Sequence, residues 1–272
     1  MILFNDTQVS IEHFPDGTQR IHLDVDKAGD SNIKWLYQND EELASLIYIT
    51  KHFRDKCSCK LNLWLIYVPN ARMDRTHNSY EVFTLKHFAE VINWLNFDQV
   101  KILDPHSNVT PALLNRCTTM DLGKIISGVM DKVEKDTGEE LVLYFPDAGA
   151  HKKYSEMFPE RRSCYGQKHR DWDTGKILGL EIETNGIDLK NKVVLIIDDI
   201  VAYGGSMHFG AEKLLELGAK EVYAYCSHAE MSVLDEEKGT LLKSLKAGDV
   251  KKLFTTNSIY RGESPYIEVI SL

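Results

Sequence analysis

The run Val193–Ser206, VVLIIDDIVAYGGS, limits the fold of this chain more than any other stretch. Five apolar residues, Val193 to Ile197, have the length and branching of a strand buried on both faces. Asp198 and Asp199 follow at once, then a short loop over residues 200–206. Apolar positions resume with Phe209, Leu214, Leu215 and Leu217, the spacing of a helix. A buried parallel strand that opens through a glycine turn into a helix presents backbone N–H groups at its carboxyl end, where doubly wound sheets bind anionic ligands. Gly204 and Gly205 let the backbone approach a phosphate, and Ser206 adds a hydroxyl donor. The adjacent carboxylates suit the hydroxyls of a sugar, directly or through Mg²⁺. The plainer reading is a strand–turn–helix unit with solvated acids; the whole run together favours a ligand site.

Composition narrows the class. With 272 residues, 43% hydrophobic and 27% charged, the chain can build one large or two medium α/β domains. A formal charge of −9 argues against a nucleic-acid binder that works by phosphate neutralisation, but leaves nucleotides open. Cysteines 57, 59, 117, 164 and 226 show no zinc spacing, so they are expected to be reduced thiols in a cytoplasmic protein. Neither a signal-like N-terminus nor a stretch of membrane-spanning length is visible, so no membrane partner is expected.

Along the chain, two short strand-like runs flank Phe14-Pro15-Asp16-Gly17, the second over Ile21–Val25. Helix faces read at Leu43, Leu46, Ile47 and Phe53, and at Leu85, Phe88, Ala89, Ile92 and Leu95. Strands are expected over Leu61–Val68 and Val100–Leu103. A boundary is expected near Cys117–Asp121, followed by an amphipathic helix with Leu122, Ile125, Ile126, Val129, Met130 and Val133 on one stripe. Further strands read at Leu141–Phe145, Ile177–Ile182, Glu221–Cys226, Lys251–Thr255 and Tyr266–Ile270, with a polar, basic loop over 159–176. The alternation of strands and helices on both sides of residue 120 implies two doubly wound parallel-sheet domains, 1–120 and 121–272.

No GxxxxGK[S/T] or GxGxxG occurs, so neither a Walker-type loop nor a dinucleotide fold is supported. The Val193–Ser206 run instead resembles the phosphoribosyl-diphosphate (PRPP) fingerprint of type I phosphoribosyltransferases and ribose-phosphate diphosphokinases. Five further clusters occur in the order of the diphosphokinase family. Phe14-Pro15-Asp16-Gly17 resembles its adenine-binding turn, and Val68–Arg75 (VPNARMDR) its ATP-holding segment. Asp104-Pro105-His106-Ser107 is similar to its metal and nucleotide segment, Pro146-Asp147-Ala148-Gly149 to its P-D-x-G turn, and Lys168-His169-Arg170 to the K-x-R of its mobile catalytic loop.

The resemblance implies a phosphoribosyltransferase-type fold, with an ATP-binding domain over 1–120 and a ribose 5-phosphate-binding domain over 121–272. It implies transfer of the diphosphoryl group of Mg·ATP to O1 of ribose 5-phosphate, giving PRPP and AMP. Phe14, Asp16, Arg72, Asp74 and His106 would bind ATP, and His106 and Asp147 would help hold Mg²⁺. Asp198, Asp199, Tyr203, Gly204, Gly205 and Ser206 would bind ribose 5-phosphate, with Lys168 and Arg170 as the catalytic cations. A homo-oligomer is implied, because in the family a neighbouring subunit completes the adenine pocket.

Plainer readings stand beside these roles. Arg72 and Asp74 suit a surface ion pair, His106 a satisfied strand-end histidine, Lys168 and Arg170 a solvated basic loop, and Phe14 a core position. The chain departs from the family pattern at Met73, Ala202 and Thr18, where glutamine, an acid and glutamate are usual; the family's final helix and N-terminal regulatory segment are not recognised. Two other functions remain open at this stage: a PRPP-consuming phosphoribosyltransferase, and a non-catalytic regulatory subunit of the synthetase type.

Overall fold

The computed structural model describes residues 1–25, 29–170 and 177–272, without the side chains of 168–170 and 177–179. The chain divides into two compact units, Met1–Met120 and Asp121–Leu272.

The first unit opens with β1 (Ile2–Phe4) and β2 (Thr7–Gln8), then a hairpin of β3 (Ser10–His13) and β4 (Gln19–His22). It continues through β5 (Ser31–Trp35), α1 (Glu41–Lys56), β6 (Leu61–Leu65), α2 (Thr84–Trp94), β7 (Gln99–Ile102), α3 (Val109–Leu113) and β8 (Cys117–Thr119). The sheet order is β2-β1-β5-β6-β7-β8, with β5 through β8 parallel and β1 antiparallel to β5. Burial alternates along β5 and β6, as period-2 strands require. Ile33, Trp35, Leu63 and Leu65 form one core with Leu46, Ile49 and Phe53 of α1 and Phe88 and Ile92 of α2. The alternate face carries Lys34, Trp64 and Lys101 in register across three strands, and both lysine Nζ atoms lie 5.6 Å from the indole ring.

The second unit begins with α4 (Leu122–Thr137), whose apolar stripe is buried and whose end is capped by Gly138 in the left-handed conformation (φ 70°). There follow β9 (Leu141–Phe145), α5 (Ala148–Tyr154), β10 (Ser163–Arg170), β11 (Ile177–Glu183), β12 (Val193–Val201), α6 (Gly205–Glu216), β13 (Glu221–Ala229), α7 (Thr240–Ala247), β14 (Leu253–Thr256) and β15 (Ile267–Ile270). The order is β11-β10-β9-β12-β13-β14-β15, parallel except for the β10–β11 hairpin. Every residue of β9 is buried, and so is the apolar half of β12, as expected for central strands of a covered parallel sheet. Val142, Tyr144, Val194 and Ile196 pack with Met207, Ala211 and Leu214 of α6 and Leu241 and Leu245 of α7. Phe145, pointing the other way, stacks on Tyr154 of α5 at 6.1 Å. Both units are therefore α/β with parallel sheets.

Four local expectations are corrected. The central strand does not stop at Ile197: it runs to Val201, because Ile200 and Val201 pair with His228 and Ala229 of β13. Phe14 is not core; it is 50% exposed at the tip of the β3–β4 hairpin, beyond Ile11 and Ile21, which pack against the core. The backbone of Lys168-His169-Arg170 is strand rather than loop, paired with Leu180, Gly179 and Ile177. Finally, the cysteines are not all reduced: Cys57 and Cys59 are joined by a disulfide, with Cα atoms 5.3 Å apart. Cys57 has extended dihedrals (φ −138°, ψ 134°), so residues 57 and 59 project to the same side.

Candidate active site

The central unit of the second sheet puts its acids at the carboxyl end of β12. Asp198 is partly exposed and Asp199 is buried at 8% exposure. The Asp199 backbone N–H donates to Asp198 Oδ1 at 2.9 Å. Burial is the main cause that pushes the Asp198 carboxyl well above the ordinary range, and the neighbouring Asp199 charge and the Asp147 charge act in the same sense. Such a pair is primed for a partner that brings positive charge or hydroxyl donors.

After Val201 the chain turns through Ala202, exposed Tyr203 and Gly204 into α6. Gly204 has φ 86°, and a Cβ there would lie 2.2 Å from Leu241 Cβ, so no other residue fits. The Tyr203 carbonyl accepts from Leu241 N at 3.1 Å and Thr240 Oγ1 at 3.0 Å, which ties this loop to the start of α7. The first-turn amides of α6 have no acceptor within the helix. They open onto a cleft of about 630 Å³ lined by Asp198, Tyr203, Gly204, Gly205 and Ser206. Backbone N–H groups, a helix N-terminus and the Asp198 carboxylate on one cleft are chemistry that suits a phosphorylated polyol.

Asp147 stands where β9 meets α5. Its Oδ1 accepts from Gly149 N and Ala150 N, each at 3.0 Å, so it is the N-cap of α5. Its charge reaches Asp198, which places it in the same carboxylate neighbourhood. Beneath lies Tyr144, fully buried, its hydroxyl without a hydrogen-bond partner among the described residues. Gly166 and Gly210 make room for it: a Cβ at either would come within 2.6 to 2.7 Å of the tyrosine. The side chains of Lys168 and Arg170 lie outside the described residues.

In the first unit the candidate residues follow β6 and β7. Both connections begin with a left-handed non-glycine residue, Asn70 (φ 63°) and buried Asp104 (φ 42°). Asp74 is 8% exposed and pairs with Arg75 Nε at 3.0 Å. Burial opposes its charge, but hydrogen bonds from Ser107 and Arg75 and the nearby Arg75 and His106 charges win, holding the carboxyl below its ordinary value. The structure thus brings Asp74, His106 and Ser107 together, with Arg72 and His106 exposed. Phe14 and Asp16 occupy the hairpin tip, where Asp16 accepts from Thr18 N (2.9 Å) and Thr18 Oγ1 (2.7 Å). Those bonds hold its carboxyl low and explain why threonine serves at position 18. The hairpin is fastened to α1 through His13, 2.5 Å from Glu41. Another cleft, of about 660 Å³, lies between β4 and α1, lined by Gln19, Tyr48 and His52; it holds none of the candidate residues.

Two polar residues passed over in the sequence stand beside the acids. Ser227 and His228 end β13, with His228 in register with Ile200 and bonded through Nδ1 to Ser258 Oγ at 2.9 Å. Ser258 and Thr256 both donate to the Ser227 carbonyl. The signal was available: polar residues directly after an apolar run, as at Asp198.

Comparison with known proteins agrees with this architecture. The phosphoribosyl transferase domain family matches residues 162–253. A ribose-phosphate pyrophosphokinase of Thermococcus kodakarensis is 25% identical over 257 residues, 93% of this chain and 86% of its own. Ribose-phosphate pyrophosphokinase 1 of Listeria monocytogenes is 26% identical over 269 residues, 95% of this chain and 80% of its own. The crystal structure of phosphoribosylpyrophosphate synthetase from Mycobacterium smegmatis superposes with a TM-score of 0.78 at 18% identity, covering 98% of this chain and 88% of that one, which shows a shared fold. With pyrophosphokinases aligned along nearly its whole length and a fold shared with a synthetase of the same kind, the chain is similar to the ribose-phosphate pyrophosphokinases, a family of enzymes.

Proposed function

We propose that this enzyme transfers the β,γ-diphosphoryl group of ATP to O1 of ribose 5-phosphate, giving PRPP and AMP. The observation that carries the reading is the carboxyl end of β12, where Asp198 shares a cleft with the Gly204 loop and the N-terminus of α6, with Asp199 next to it in the strand. The names of its relatives, ribose-phosphate pyrophosphokinases, support it.

In this reading Tyr203 to Ser206 bind the 5-phosphate through backbone N–H groups and the Ser206 hydroxyl, while Asp198 and Asp199 accept from ribose hydroxyls. Arg72, Asp74 and His106 receive the nucleotide, with Phe14 and Asp16 at the adenine. A bond forms between O1 and the β-phosphorus, and the bond from that phosphorus to the α,β-bridging oxygen breaks, releasing AMP. Most of the acceleration comes from holding O1 in line and neutralising charge. Lys168 and Arg170 would meet the diphosphoryl group as its charge develops. A homo-oligomer in which a second copy completes the adenine pocket belongs to the same proposal.

The donor set fits magnesium. No group of three or more His, Cys, Asp or Glu side chains among the described residues is arranged to hold a metal ion alone. Magnesium usually takes one or two carboxylates together with substrate phosphates, so no complete protein cage is required. Asp147 and His106 are each proposed to offer it a ligand; when bound, it would neutralise phosphate charge. The test is incubation with Mg·ATP and ribose 5-phosphate and separation of the products. PRPP and AMP are expected. ADP would overturn the reading in favour of simple γ-phosphoryl transfer, and no product would favour a non-catalytic subunit.

A further inference from the structure

Thiol chemistry in this chain is confined to one turn. Cys164 and Cys226 are fully buried. Burial pushes the Cys164 thiol up to about 12 and that of Cys117 to about 11, which leaves both as inert thiols. Cys57 and Cys59 differ: both are partly exposed, and they are bonded to one another across the single exposed residue Ser58.

A ring over one residue removes little freedom from the unfolded chain, so the bond contributes little to stability. Nor does the turn need it. The Cys57 N–H donates to Phe53 O at 2.8 Å and closes α1. Arg54 Nη1 donates to Cys59 O at 2.9 Å, while Arg54 Nη2 and the Leu61 N–H both reach Asp98 Oδ2, at 2.9 and 2.8 Å. The surroundings favour thiolate instead. Lys56 and Lys60 flank the pair, the Arg54 guanidinium sits against Cys59, and the Cys59 N–H lies 3.2 Å from Cys57 Sγ, where it would stabilise sulfur as a leaving group.

We propose that Cys57 and Cys59 form a reversible thiol–disulfide couple that exchanges with small thiols such as glutathione. A thiolate attacks Cys59 Sγ; the Cys57–Cys59 bond breaks, and its electron pair leaves with Cys57 Sγ, which takes up a proton. A second thiolate attacks the small-molecule sulfur of the mixed disulfide and releases Cys59, which is protonated in turn. The sum is one protein disulfide and two thiols giving two cysteine thiols and one oxidised small-molecule disulfide, and the reverse reaction reoxidises the pair. The couple sits before β6, at the opposite end of that strand from the Arg72–Asp74 connection, so its state leaves the proposed catalytic activity unchanged.

The full chain is equilibrated in buffers of graded reduced-to-oxidised glutathione ratio, quenched with acid, alkylated and digested, and the peptide carrying both cysteines is weighed. The expected result is an all-or-none passage from no alkylation to double alkylation across the series, while Cys164 and Cys226 resist modification in the native protein. In Cys57→Ser, Cys59 should accumulate as a stable mixed disulfide with glutathione, because its resolving partner is gone. A disulfide unmoved by excess reduced glutathione would overturn the proposal. So would two independent thiols that never join in the oxidised buffers.

Discussion

The backbone N–H of Asp199 donates to the Asp198 carboxylate at 2.9 Å, so the acid in the wall of the cleft is held by its neighbour's backbone. Burial and the Asp199 charge raise the Asp198 carboxyl above its unfolded value. The stability this group contributes is complete below the unfolded carboxyl value of about 3.9 and is lost as pH rises through the folded value. Asp198→Asn carries no charge at any pH. Its melting temperature relative to the parent should therefore climb as pH rises from about 4 towards neutrality, while ribose 5-phosphate affinity falls at least about tenfold. Thermal melts across that range, with calorimetric binding, check both; parallel melting curves would discard the electrostatic account.

Gly204→Ala should unfold at lower denaturant. Its φ of 86° and a Cβ 2.2 Å from Leu241 Cβ combine left-handed strain with overpacking. Overpacking alone costs about 1–3 kcal/mol. Leu241→Ala in the same chain should not rescue it, because alanine keeps the Cβ that clashes, whereas Leu241→Gly removes that atom and should recover part of the overpacking loss; a denaturation series on the parent, Gly204→Ala and the two double variants would read the difference.

Asp147 has two separable jobs. As N-cap of α5 it accepts from Gly149 and Ala150, and removing a cap costs about 0.5–2 kcal/mol. Asp147→Ala should lose that stability and also require more magnesium for activity. Asp147→Asn keeps an acceptor oxygen, so it should melt near the parent while requiring more magnesium. Equal magnesium requirement in Asp147→Asn and the parent would leave Asp147 a cap alone.

Lys168→Ala and Arg170→Ala should each lower kcat by about 10²–10³ with little change in the KM for ribose 5-phosphate, since a cation that meets charge only in the transition state acts on kcat. Lys168→Arg should restore only part of the rate, because the guanidinium differs in shape and hydration. Steady-state kinetics with melting controls decide; near-parental kcat in both alanine variants would return these cations to the solvated surface.

The α4 stripe and the Val193–Ile197 run were readable from the chain alone, because helix periodicity and unbroken branched residues are set by near neighbours in sequence. The polar ends of β9 and β12 were readable for the same reason, and the resemblance rested on them. What lay outside reach depended on partners distant in sequence. The strand continues through Asp198 and Asp199 because Asp198 pairs with Cys226 and Ile200 and Val201 find His228 and Ala229. Phe14 is exposed because it sits at the hairpin tip, beyond the Ile11 and Ile21 contacts with the core, and Lys168 is in a strand because β11 returns to pair with it. The link between Cys57 and Cys59 needed an extended backbone after α1, which composition does not encode. Short-range chemistry wrote the strands, helices and glycine turn, whereas pairing and burial between remote segments decided which side chains face the cleft, which are capped, and which lie open to solvent.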